Sequence, residues 1–162
     1  MNEWLKLSEK RRLEILNQVN NQTGLPTDAI EKDWWVTITL KAIFSSKFAQ
    51  HLVFKGGTSL SKAYNLIERF SEDIDLSIDR TMLGFEGELS KTQIKKLRKA
   101  SGNFIVGEFK EELISELEKL GVNKENYNLI FDDEIDDTSD PHRVELEYNS
   151  IVEPGEYIPQ RV

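Results

Sequence analysis

The spacing of apolar residues divides the chain into helical and extended stretches. Between residues 27 and 45 ("TDAIEKDWWVTITLKAIFS"), Ile30, Trp34, Ile38 and Ala42 recur every fourth position, with Trp35 and Ile43 widening the stripe. That pattern predicts a helix buried over most of its surface. An earlier helix is predicted over 8–20, with Ser8 as N-cap, Leu13, Leu16 and Val19 on one face, and "NQTGLP" as its stop. "HLVF" (51–54) is too short for a helix and apolar on both faces, so it reads as a central strand entering Gly56-Gly57. Leu60, Ala63, Tyr64 and Ile67 then follow i, i+3, i+4, i+7, which predicts a helix over 58–68 capped by Thr58 or Ser59.

The period next switches to two. In "SEDIDLSID" (71–79), Glu72, Ile74, Leu76 and Ile78 fall on one side, and Ser71, Asp73, Asp75, Ser77 and Asp79 on the other; only the first side can face a core. Residues 91–120 read as helix on Ile94, Leu97, Phe104, Phe109, Leu113, Leu117 and Leu120, split at Gly102 or Gly107 and ended by Gly121. Strands are predicted at 127–131 and 142–151, the second alternating Val144, Leu146 and Tyr148 against Arg143, Glu145 and Glu147, and "QRV" (160–162) reads as the start of one more. The expected fold is α/β: a small mixed β-sheet flanked by helices, with an N-terminal helical segment. One domain is expected over 1–162, with 1–48 a helical buttress and 51–162 the sheet-containing core.

Composition narrows the class. With 38% apolar and 31% charged residues the chain is a folded globular protein. Without cysteine it has neither disulfides nor thiolate chemistry, which suits the cytoplasm. No run of about 18 apolar residues points to a membrane span. A net charge of -8 argues against a general nucleic-acid coat. Charge is segregated, however: residues 91–99 carry Lys91, Lys95, Lys96, Arg98 and Lys99 without an acid, whereas "FDDEIDDTSD" (131–140) carries acids without a base. The basic stretch is either a solvated helix face or a guide for an RNA acceptor.

Two features carry candidate chemistry. A strand running through Gly56-Gly57 into a helix exposes backbone N–H groups that an anion such as phosphate can approach, although a ligand-free tight turn has the same residues. Asp73 and Asp75 share one side of the next strand; two carboxylates so placed repel, and an oxygen-only pair suits Mg2+ or Mn2+, which keep waters and phosphate oxygens as further ligands. The alternative is a solvated edge-strand face. Arg69 and Lys62 either reach a phosphate or sit as solvated helix cations. Other chemistry finds no support: "DDEIDD" lacks the glycine turn of a calcium loop, His51 and His142 stand alone, and no serine sits in a nucleophile elbow.

Gly56, Gly57, Asp73, Ile74 and Asp75 together resemble the signature of the nucleotidyltransferase fold shared with DNA polymerase β: a small-residue pair, a helix, then two aspartates around an apolar residue on a strand. "EKDWWVTITLKAIF", "LVFKGGTSLSKAYNLIERFSEDIDLSI" and "VELEYNS" are similar to the AbiEii/AbiGii toxin family of nucleotidyltransferases, closely over 27–80 and loosely over 140–150. The resemblance implies metal-dependent transfer of a nucleotide from a nucleoside triphosphate, with an RNA or tRNA acceptor and a cognate antitoxin in a bacterial toxin-antitoxin or abortive-infection system. It assigns Gly56, Gly57, Thr58 and Ser59 to the triphosphate and Asp73 and Asp75 to Mg2+. It also implies a third carboxylate on a neighbouring strand, for which Glu145 and Glu147 are the stand-ins, and a later lysine motif that this sequence does not contain. The chain is accordingly expected to lack a C-terminal portion, and the runner-up function is a catalytically incomplete module that binds nucleotide or antitoxin.

Overall fold

The computed structural model describes residues 3–64, 66, 73–131, 142–153 and 159–162. Helix α1 (Glu9–Thr23) starts as its sequence dictates, with the Ser8 hydroxyl accepting from the Arg11 N–H at 3.3 Å, and it stops at Gly24 in the left-handed region. Helix α2 (Thr27–Ser45) is buried along its whole length at Trp35, Val36, Ile38, Thr39, Ala42 and Ile43. Strand β1 (Leu52–Lys55) leads into α3 (Gly56–Lys62), and β2 (Asp75–Ile78) returns antiparallel to β1, with Leu52 opposite Ile78 and Lys55 opposite Asp75. Helices α4 (Lys91–Phe104) and α5 (Lys110–Lys119) follow, then β3 (Tyr127–Phe131) and β4 (Val144–Tyr148), also antiparallel.

The fold is therefore α/β, with the described strands in two small antiparallel sheets, β1-β2 and β3-β4. Residues 160–162 extend the second sheet: the Leu146 and Val162 N–H groups each donate to the other's carbonyl at 2.8 and 3.0 Å, and the Tyr148 N–H donates to Gln160 O at 3.1 Å. Helix α2 reaches both sheets. Trp35 stacks on Tyr148 of β4 with centroids 5.0 Å apart and planes 15° apart, while Phe44 lies 6.3 Å from Phe54 of β1. Leu76, Ile78 and Ile74 pack on the same core, so the apolar side of the period-two segment faces inward as predicted. Each fully buried aliphatic side chain there, such as Ile38 or Leu117, contributes about 1.5–3 kcal/mol.

The long helix predicted over 91–120 is interrupted at Gly107, whose φ of -100° and ψ of -105° break a π-turn between α4 and α5. Gly102 instead sits buried inside α4. Gly121 ends α5 as expected: its N–H donates to Glu118 O and the Val122 N–H to Leu117 O, both at 2.9 Å, with Val122 and Leu117 buried beside them. Two expectations change. Strand β1 is not central, since among the described residues it pairs with β2 alone and Val53 is 61% exposed; an apolar run cannot say which of its faces another element covers. Helix α3 begins at Gly56 rather than Thr58, and Leu60 and Tyr64, expected to face the core, are exposed. Ile67 and Arg69 lie outside the described residues, as does most of the acidic loop.

Adjacent charges on α2 anchor the chain after β4. Lys32, buried, donates to Pro159 O at 3.2 Å. Glu31, equally buried, accepts from the Ile151 N–H at 3.2 Å and lies 2.5 Å from Ser150 Oγ. Ser150 has one hydroxyl proton but two acceptors in reach, Glu31 Oε2 and Val152 O at 3.0 Å, and it already accepts from the Val152 N–H. The hydroxyl proton donates to Glu31 Oε2 or to Val152 O, and the two acceptors compete for it. Burial, the largest influence, raises the Glu31 pKa against the lowering hydrogen bonds from Ser150 and Ile151. A raised folded pKa stabilises fully below the unfolded value and fades as pH climbs through the folded one. Glu31→Gln, which mimics the neutral acid, is therefore expected to flatten the decline in stability from mildly acid to neutral pH, changing stability at acid pH by no more than about 1 kcal/mol. Urea midpoints across that range measure it; an unchanged slope would place the ionised form in the fold.

Candidate active site

The turn from β1 into α3 and the start of β2 meet at one point. Gly56 has φ +75°, a left-handed conformation that a side chain resists. A Cβ placed there would lie 1.9 Å from Asp75 Oδ2, 2.8 Å from its Cγ and 3.0 Å from its Cβ. The glycine is thus required twice over, by the backbone and by the carboxylate that fills the space beside it. Asp75 is delivered there by the ladder, which sets it opposite Lys55, the residue just before Gly56. Both Asp73 and Asp75 are exposed.

Asp73 stands ahead of β2 rather than in its ladder, which begins at Asp75. Its carbonyl accepts a hydrogen bond from the hydroxyl of Thr58 in the first turn of α3. The two aspartates therefore touch the same turn by different routes, Asp75 through its carboxylate and Asp73 through its main chain. Asp79, on the same side of the strand, is committed elsewhere: its carboxylate accepts from the Thr81 N–H at 2.9 Å and the Thr81 hydroxyl at 2.8 Å, and the backbone bond, followed by the hydroxyl bond, lowers its pKa.

The remaining predicted residues divide. Thr58 and Ser59 are buried, and the Ser59 hydroxyl donates to Gly56 O at 3.0 Å, so these two hydroxyls serve the backbone. What α3 offers at this end is main chain: the side chain of its N-cap residue, Lys55, makes no capping hydrogen bond, and the opening N–H groups of a helix have no partner within it. Lys62 is tied to α2, donating to Asp33 Oδ1 at 2.6 Å and to Thr37 Oγ1 at 2.9 Å. Asp33 and Thr37 were not picked out in the sequence; their i, i+4 spacing on α2 was the one available signal. Arg69 is outside the described residues.

Glu145 and Glu147, the stand-ins for a third carboxylate, lie on β4, which does not pair with β2. Both edges of β4 are occupied, one by β3 and the other by 160–162, which leaves none for β2. Glu145 faces Arg161 at 2.9 Å and Arg143 at 3.7 Å. Among the described residues no three acidic or imidazole groups gather in a metal-binding cluster. Asp73 and Asp75 still fit a hard divalent cation, because Mg2+ is commonly held by one or two carboxylates with waters and phosphate oxygens supplying the rest.

No helix among the described residues is long and apolar enough to cross a membrane. A search of curated proteins and of solved structures returned no match. The family model described as "Nucleotidyl transferase AbiEii toxin, Type IV TA system" matches residues 38–161, which takes in the last part of α2 from Ile38, both sheets and the Gly56–Asp75 contact. On that match, the chain belongs to the AbiEii family of nucleotidyl transferase toxins of type IV toxin-antitoxin systems.

Proposed function

We propose that this chain transfers a nucleotide from a nucleoside triphosphate to a hydroxyl of an RNA acceptor in the cytoplasm, with Mg2+ or Mn2+ held by Asp73 and Asp75, and that a cognate antitoxin opposes it. The observation that carries the reading is the contact between the Asp75 carboxylate and Gly56, since it joins an acidic strand to a side-chain-free turn. Family membership supports the reaction type. The main-chain N–H groups from Gly56 to Ser59 are the proposed hold on the triphosphate, and Asp73 and Asp75 keep the cation beside it. When bound, the cation neutralises charge on the phosphate oxygens and favours departure of pyrophosphate. In the reaction a bond forms between the acceptor oxygen and the α-phosphorus while the bond from that phosphorus to the bridging oxygen breaks. The hydroxyl proton passes to solvent and pyrophosphate leaves. The exposed basic residues Lys91, Lys95, Lys96 and Lys99 of α4 are the proposed landing surface for RNA.

The test is incubation of the purified chain with each α-labelled nucleoside triphosphate and total RNA, with and without a chelator. Label appearing in RNA only with divalent cation is the expected result. Nucleotide binding without transfer would favour the alternative, a catalytically incomplete binding module, which the missing third carboxylate among the described residues would explain.

A further inference from the structure

The two aspartates are held by unlike means, and the difference assigns a task to Thr58. Asp75 is fixed by the β1-β2 ladder opposite Lys55 and by packing of its carboxylate on Gly56. Asp73 precedes that ladder, so among the described residues no strand pairing sets its position. Among the described residues, the hydrogen bond that reaches its main chain comes from the Thr58 hydroxyl, fifteen positions earlier in the sequence. Thr58 is itself 1% exposed, in a helix turn whose start is defined by Gly56. A buried threonine has few rotamers, and a hydroxyl locked by burial is a rigid pin.

We propose that Thr58 is a positioning residue, its hydroxyl holding the Asp73 backbone so that the Asp73 carboxylate keeps a fixed separation from that of Asp75. The inference rests on the reading of the two aspartates as a cation-holding pair. Chelation by two groups depends on their spacing to within about 0.5 Å. The Thr58 hydroxyl thereby acts on cation affinity without touching cation or phosphate. The residue most plainly suited by type to contact a phosphate is turned inward to the protein instead.

The experiment is titration of the full chain with Mn2+, following loss of the free-ion paramagnetic resonance signal, for wild type and for Thr58→Val, Thr58→Ala and Thr58→Ser. Thermal melts establish that each variant is folded. Thr58→Val, which keeps the shape and drops the hydroxyl, is expected to weaken Mn2+ binding by about 10–100-fold, and Thr58→Ser to restore wild-type binding within about threefold. Folded Thr58→Val or Thr58→Ala binding Mn2+ as wild type does would overturn the proposal. So would failure of both to fold while Thr58→Ser folds, because the hydroxyl would then serve stability alone. Absence of Mn2+ binding in the wild type would overturn the aspartate reading and this proposal together, whereas normal binding in wild type and Thr58→Val alike would overturn this one only.

Discussion

Asp75→Asn is expected to slow nucleotide transfer by at least about a thousandfold, equivalent to about 4 kcal/mol of transition-state stabilisation, while leaving the fold intact. The substitution preserves shape, so the packing against Gly56 survives, but it removes the negative charge that would hold the cation. Because Asp75 is exposed and forms no ion pair among the described residues, its stability is expected to change by less than about 0.5 kcal/mol. Single-turnover transfer of label to RNA, beside a thermal melt, measures both. Asp79→Asn is the control: Asp79 shares the side of β2 with Asp75, yet its carboxylate serves the turn at Thr81, and transfer is expected to persist. Transfer by Asp75→Asn at near the wild-type rate would remove Asp75 from the reaction. Equal loss in both variants would point to the strand's general charge instead.

Local periodicity settled which side of an element faces inward. It put Trp35, Ile38 and Ala42 in the core, turned Ile74, Leu76 and Ile78 away from Asp75, and ended α5 at Gly121. Each outcome depends on residues within a few positions of one another, where geometry leaves few options. Partner choice was not legible in the same way. Alternation says that Glu145 and Glu147 share a face, not that β3 and residues 160–162 already occupy both edges of their strand. Helical spacing grouped Leu60 with Tyr64 without showing that the described fold leaves both exposed. Burial of Glu31 and Lys32 was hidden for a related reason: their partners, Ser150, Ile151 and Pro159, lie more than a hundred residues away. At the candidate site, the Gly-Gly pair and the two aspartates were visible as types and spacing. Which hydroxyls and which lysine the protein spends on itself was not, since Thr58, Ser59 and Lys62 read alike as phosphate ligands until their acceptors are known.

Gly56→Ala should lower transfer by about a hundredfold, a loss out of proportion to its effect on stability. Gly24→Ala supplies the comparison, because both glycines have φ +75°, so both alanines carry the same left-handed strain of about 1–2 kcal/mol. At Gly24 nothing lies within 4 Å of the added methyl, and strain is the whole effect. At Gly56 the methyl would meet Asp75 Oδ2 at 1.9 Å and Asp75 Cβ at 3.0 Å. Rotation of the carboxylate relieves the first contact, but the second requires the strand to shift by a few tenths of an ångström. Asp75 is exposed, so a carboxylate pushed off Gly56 by the methyl is met by solvent, and the energetic cost of that relief is small while the displacement of the charge is large. The two variants should therefore have urea midpoints close to each other and transfer rates far apart, with Gly24→Ala at the wild-type rate. Similar transfer by both would mean that the Asp75 carboxylate has no required place beside the turn, and the proposed division of labour between Gly56 and Asp75 would fall.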